Sequence, residues 1–169
     1  MIEAKRFSLS FLFFCIVICF SFPFLDVKCA GTKTTSFSGF ELAKGLEINK
    51  TFLDFYNKTK IKNPTKPERE IKESDKIKLR VVMWSAISFA ILGGIISFFS
   101  RFFLSSLFGF LCTLGLLIFW YNIRQITNYG EEALLEVRFA PAFWIALILS
   151  ITASLLSLYF SLKRSRVLS

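Results

Sequence analysis

Residues 81–121 read VVMWSAISFAILGGIISFFSRFFLSSLFGFLCTLGLLIFWY, and Arg101 is the only charged residue in the run. The apolar stretches on either side of it, Val81–Ser100 and Phe102–Tyr121, hold about 20 residues each, and at 1.5 Å rise per residue such a helix covers the roughly 30 Å hydrocarbon core of a bilayer. One polar residue between two such stretches leaves room only for a tight turn. The run therefore predicts two helices that cross a membrane and return.

Working outward, Phe7–Leu25 and Phe139–Leu162 are equally free of charge. The sequence thus predicts an all-α transmembrane four-helix bundle with spans at 7–25, 81–100, 102–121 and 139–162. A long first loop fills 26–80, a shorter one 122–138, and a basic tail 163–169. Composition agrees, since 54% hydrophobic residues and 22 phenylalanines in 169 are not the make-up of a soluble domain. Met1–Arg6 followed by an apolar run is also how a secretory signal opens. About 19 apolar residues exceed the ~7–15 of a signal core, and Val27-Lys28-Cys29 is only a passable cleavage site, so the reading taken is an uncleaved helix.

Charge orients the path. Lys5, Arg6, Arg101, Lys163, Arg164 and Arg166 fall on one side, which the positive-inside rule makes cytoplasmic, with both termini there. The first loop holds thirteen Lys or Arg against eight Asp or Glu. That opposing count carries less weight because the first helix usually dominates orientation and loops near this length translocate largely regardless of charge. Trp84, Trp120 and Trp144 all fall toward the opposite leaflet, where amphipathic rings prefer the headgroup level. A net charge of +9 can indicate nucleic acid, but here the basic loop is interleaved with acids and tethered beside a bilayer. Anionic lipid headgroups near that loop are the expected counter-charge, and a nucleic-acid partner is not expected.

Within the spans small residues recur every fourth position: Ala86, Ala90 and Gly94; Ser105, Gly109 and Thr113; Ala142, Ala146, Ser150 and Ser154. Residues four apart share a helix face, and small ones let backbones approach where lipid supplies no hydrophobic drive to associate. These positions predict packing seams. Cys15 and Cys19 are also four apart, but metal sites need three or four convergent ligands and the protein has no histidine. They and Cys112 read as small apolar side chains.

No chemistry emerges elsewhere. None of the spans contains Asp, Glu, Lys, Arg or His, whereas proton relays and coupled transporters use intramembrane ionisable groups or broken helices. Glu131, Glu132 and Glu136 beside Arg138 are the remaining acid–base candidates, and their spacing is that of a solvated loop and strand. No catalytic, cofactor-binding or metal-binding residue is assigned, no cofactor is expected, and the chain reads as a non-enzyme.

The outer loops carry the remaining pattern. Val27–Cys29 predicts an extended exit from the membrane, Ala30–Lys33 a turn, and Thr34–Phe37 a returning strand. Ser38 with Glu41 forms a capping box for a short helix through Lys44, which Gly45 would end. Ile48, Phe52 and Phe55 suggest an amphipathic helix. Thr65 with Glu68 suggests another capping box, starting a charged helix over 66–80 that runs into the second span. Tyr129-Gly130 predicts a turn, and the ALLEVRF that follows it (133–139) a third strand beside the hairpin, which alone would be marginal.

The run PFLDVKCAGTKTTSFSGFELAKG (23–45) resembles a motif of bacterial four-helix integral membrane proteins without an assigned activity. The matching positions are Pro23, Phe24, Val27, Cys29, Gly31, Ser38, Gly39, Leu42, Ala43 and Gly45. VRFAPAFWIAL (137–147) is similar to the way those proteins begin their last helix, although Ala140-Pro141-Ala142 stands where a glycine would be expected. The resemblance implies a bacterial inner membrane and no mechanism. The loop lengths also resemble claudin architecture, by analogy only, since the paired outer cysteines and tryptophan motif of claudins are absent.

The function expected from sequence is a structural or partner-binding role through the extracytoplasmic loops, toward a protein, an envelope polymer or other copies of the chain. The alternatives are an accessory subunit of a membrane transport or enzyme complex, then an independent channel or permease.

Overall fold

The computed structural model describes residues 2–29, 32–44, 73–99, 101–128 and 135–168. In chain order the elements are α1 (Ile2–Cys19), β1 (Pro23–Cys29), β2 (Thr32–Ser38), α2 (Gly39–Lys44), α3 (Glu73–Phe98), α4 (Phe102–Asn128), β3 (Leu135–Phe139) and α5 (Pro141–Leu168). The expected features at Gly31, Gly45, Ile48 to Phe55, Thr65–Glu68 and Tyr129-Gly130 lie outside the described residues.

The described chain is mostly helical. Arg80–Phe98, Phe102–Gln125 and Pro141–Lys163 are each long and apolar enough to cross a membrane, the pattern of a multi-pass membrane protein. The apolar part of α1, Phe7–Cys19, is shorter. The first span expected at 7–25 thus ends as a helix at Cys19, and Pro23–Leu25 is strand instead. Pro23 is the reason: it lacks an N–H, and its ring drives Phe22 out of the α region. The helix ends ahead of it by tightening, with Phe20, Ser21 and Phe22 donating to carbonyls three residues back at 3.2, 2.9 and 3.0 Å.

Three other boundaries also move. α4 continues past Tyr121 to Asn128 because polar residues there support the helix: Asn122 Nδ2 donates to the Ile118 carbonyl at 2.8 Å and Gln125 Nε2 to Tyr121 Oη at 2.9 Å. α5 starts at Pro141 rather than Phe139 and extends beyond Leu162 to Leu168. Proline suits the first helical position, where the missing N–H would have had no partner.

α1 packs against α3 and α5, and α4 packs against the same two helices, so the cyclic order is α1-α3-α4-α5. The distribution of polarity is inverted relative to a soluble protein. Phe11, Ile91, Phe110, Ile148 and Leu155 face outward, while the buried polar residues among those described are Ser97, Ser105, Ser106, Thr113, Ser150 and Ser157. Without a hydrophobic drive between helices in lipid, close approach and hydroxyl hydrogen bonds must hold them.

The expected seams are where this happens. Ala86, Ala90, Ser105, Gly109, Thr113, Ala146 and Ser150 are buried. Ser106 Oγ donates to the Ser154 carbonyl at 3.0 Å and Ser154 Oγ donates to the Ser106 carbonyl at 3.1 Å, a reciprocal clasp between α4 and α5. Farther along the same seam the Thr113 and Ser150 hydroxyls face each other at 3.0 Å. Phe13 of α1 packs closely on α3 because Gly93 leaves room for it: a Cβ there would stand 2.6 Å from Phe13 Cε1. One transverse layer joins all four helices. Ser10 Oγ donates to the Gly94 carbonyl at 3.3 Å, Ser105 Oγ to the Gly93 carbonyl at 3.0 Å, and Ser157 Oγ to Ser105 Oγ at 3.4 Å.

At the end where α1 stops and α5 begins, the strands form one antiparallel sheet in the order β2-β1-β3. The hairpin and the added strand were expected, and the central position belongs to β1. Val27 lies opposite Val137, and Cys29 lies opposite Leu135.

Candidate functional site

The sheet and α2 form a cap on the helices, and local sequence explains how it is fixed. Ser38 and Glu41 close the predicted capping box reciprocally: Ser38 N–H donates to Glu41 Oε2 at 2.7 Å and Glu41 N–H to Ser38 Oγ at 3.2 Å. This starts α2, which buries Leu42 and Ala43 and packs against α3. Gly39 sits directly on the end of α1. A Cβ at this position would lie 2.6 Å from Phe20 Cδ1 and 3.1 Å from both the Phe20 Cα and its carbonyl oxygen. That closeness lets Phe40 N–H donate to the Phe20 carbonyl at 3.0 Å. Gly39, Leu42 and Ala43 are thus explained by docking, without a ligand.

An aromatic cluster seals the junction below. Phe20 and Phe24 have ring centroids 4.9 Å apart, Phe24 meets Phe143 edge-on at 5.7 Å, and Phe139 lies 4.8 Å from Phe143. Phe119 of α4 joins at 6.2 Å from Phe143. Phe20, Phe24, Phe119 and Phe143 are fully buried. Each such pair adds about 0.5–1.5 kcal/mol beyond area burial. Ala140 N–H donates to the Phe24 carbonyl at 2.9 Å, stitching the start of α5 to β1.

Alternation along the strands divides the sheet. Leu25, Phe37, Val137 and Phe139 pack on the core, and the intervening positions form the outer face. There Asp26 lies opposite Ser36 on one side and Arg138 on the other, and Lys28 lies opposite Lys33 and Glu136. The opposite charges of Asp26 and Arg138 in cross-strand register favour β1–β3 pairing by a few tenths to about 1 kcal/mol, whereas the like charges of Lys28 and Lys33 work against β1–β2. The side chain of Arg138 is exposed. Beside the sheet, the Arg124 guanidinium stands 5.3 Å from the Trp120 ring centroid, a cation–π contact at the end of the apolar part of α4.

This arrangement positions charge and backbone, and it does not converge on a reacting atom. Glu136 and Arg138 are two residues apart on β3, each opposite a different β1 residue, while Glu131 and Glu132 lie outside the described residues. Cys15, Cys19 and Cys112 are free thiols, and among the described residues no three His, Cys, Asp or Glu side chains are grouped as a metal site would require. The sequence did not reveal the Asp26–Arg138 register or the five-ring seal. Fixing a register needs the pairing itself, and scattered phenylalanines in an aromatic-rich chain do not announce which ones meet. No protein-family model, curated protein or solved structure matches the chain.

Proposed function

We propose that the protein is a non-enzymatic membrane scaffold that displays the sheet cap outside the membrane as a docking platform for a partner protein. The observation that carries this reading is the construction of the cap. Segments more than 100 residues apart, β1 and β3, are brought into one ladder and locked to the helix ends by buried rings. Order of that kind costs conformational entropy, which a connecting loop has no reason to sacrifice. The helices below it pack through small residues and hydroxyls, with no ionisable residue in the buried polar set among the described residues, which favours a structural role over ion or proton movement.

In this reading α1 is the fourth crossing. Its apolar Phe7–Cys19 segment rises about 20 Å, short of the roughly 30 Å core. The turn at Phe20–Phe22 and the first residues of β1 make up the rest. Non-helical backbone at that depth is tolerated where protein satisfies it, as the Phe40 and Ala140 N–H groups do for the Phe20 and Phe24 carbonyls. Both termini are cytoplasmic, in a bacterial inner membrane.

The test is purification in mild detergent of the wild type and of a cap variant, Arg138→Glu with Lys28→Glu. A stoichiometric partner retained by the first and lost by the second supports the reading; recovery without a partner, or a partner indifferent to the substitutions, overturns it. The partner recovered also separates a free-standing scaffold from an accessory subunit of a transport or enzyme complex. Reporter fusions that are active outside at the C-terminus would reverse the topology.

A further inference from the structure

We propose that the end of the molecule opposite the cap is a binding surface for anionic glycerophospholipid, with Arg101 at the α3–α4 turn and Lys163 on α5 holding the phosphate and a collar of phenylalanines meeting the acyl chains. The inference uses the membrane placement of the helices and not the partner-binding role of the cap, so either can fail alone.

The hydroxyl layer fixes the depth of the basic residues. Ser10, Gly94, Gly93, Ser105 and Ser157 are joined at one level by hydrogen bonds of 3.3, 3.0 and 3.4 Å. Arg6 precedes Ser10 by four residues, Arg101 precedes Ser105 by four, and Lys163 follows Ser157 by six. At 1.5 Å per residue they stand about 6, 6 and 9 Å beyond that layer, within about 3 Å of one another in depth. Phe102 and Phe160, with centroids 6.1 Å apart, tie the Arg101 turn to the end of α5 independently. Arg101 and Lys163 are exposed. Lys5, Arg164 and Arg166 extend the basic positions along α1 and α5, and Glu3 is the one acid among the described residues of these helix ends. The placement concentrates positive charge where a headgroup phosphate would lie.

Charge alone would suit any anion, and the apolar neighbours make the choice. The four most exposed large hydrophobic residues described are Phe99, Phe7, Phe103 and Phe98, at 71, 70, 66 and 62%. Each is within three residues of Arg6 or Arg101. A basic residue bordered by outward phenylalanines, repeated at α1 and at the α3–α4 turn, matches an amphiphile with an anionic head and hydrocarbon tails. A free phosphate would leave the collar without a role.

Thermal unfolding and native mass spectrometry test this on the full chain in nanodiscs of phosphatidylcholine, with and without one quarter phosphatidylglycerol. The variants are Arg101→Gln with Lys163→Gln, and Lys28→Gln with Arg138→Gln as the cap-end control. The wild type and the control should melt higher with phosphatidylglycerol and retain it through detergent exchange. In the Arg101/Lys163 variant retention should drop about fivefold per charge removed, with the melting temperature in phosphatidylcholine unchanged. Arg101→Lys should keep most of the retention, which guards against a variant that merely folds badly. Equal retention by wild type and the Arg101/Lys163 variant, or a loss shared by the control, overturns the assignment. So does inorganic phosphate reproducing the stabilisation in detergent, which would make this an anion site only.

Discussion

Phenylalanine is used in opposite ways at the two ends of this molecule. At the cap, Phe20, Phe24, Phe119 and Phe143 are sealed inside a cluster that joins three helix ends to the sheet, whereas at the far end Phe7, Phe98, Phe99 and Phe103 point outward. The same side chain serves two solvents. Where strand backbone meets the helix ends, apolar bulk must exclude water from peptide groups bonded only to one another. Where two helices meet through a short turn, lipid itself can cover the rings. Identical composition therefore says little about burial in a membrane protein until the neighbouring backbone is known.

Substitution of one ring at each end tests that contrast most severely. Phe143→Ala should lower unfolding stability in detergent by about 3–5 kcal/mol, since it leaves a cavity among Phe24, Phe119 and Phe139. Phe99→Ala should change stability by less than about 0.5 kcal/mol. Equal effects would end the distinction between a sealed and a lipid-covered end.

Next in size is overpacking of the seam. Ala146 is fully buried on α5, and Ala146→Leu should cost about 1–3 kcal/mol in the same assay, because added volume separates backbones. An unchanged melting temperature would move that face to lipid. The register of the cap gives a yes-or-no result. Cys29 lies opposite Leu135, so a cysteine at Leu135 should cross-link to it on mild oxidation far more readily than a cysteine at Val137.

Two serines in the helix seams, Ser154 half-buried and Ser97 buried, give the smallest expected effects, with opposite sign. Ser154 is half of a reciprocal clasp, and Ser154→Ala should destabilise by about 0.6 kcal/mol. Ser97 Oγ is buried without a hydrogen-bond partner among the described residues, so Ser97→Ala should be neutral or stabilise by up to about 1 kcal/mol, removing a desolvated hydroxyl. Parallel unfolding curves for the two variants distinguish these outcomes.

Features encoded by neighbouring residues were legible in the sequence. Ser38 and Glu41 announced their helix because a capping box closes within four residues, and alternation in Leu135–Phe139 marked a strand. The four-residue spacing of alanine, serine and glycine exposed the seams. What could not be read depended on competition between local signals or on distant partners. The apolar run through Leu25 hid the end of α1, where Pro23 overrides hydropathy. The helix-compatible polar residues after Tyr121 let α4 outlast its apolar stretch. The seal of the cap requires Phe24, Phe119 and Phe143, whose meeting no local pattern records.

The central position of β1 has a consequence for biogenesis. β1 leaves the ribosome more than 100 residues before β3, so one side of its backbone must wait while α3 and α4 are made. Contacts of such long sequence separation form late, after the intervening chain has been arranged. Closure of the β1–β3 ladder can then occur only when the helical hairpin has brought the chain back to its starting side. The last strand to arrive completes the sheet and, by the same event, records that the α3–α4 hairpin is in place, with only α5 still to follow.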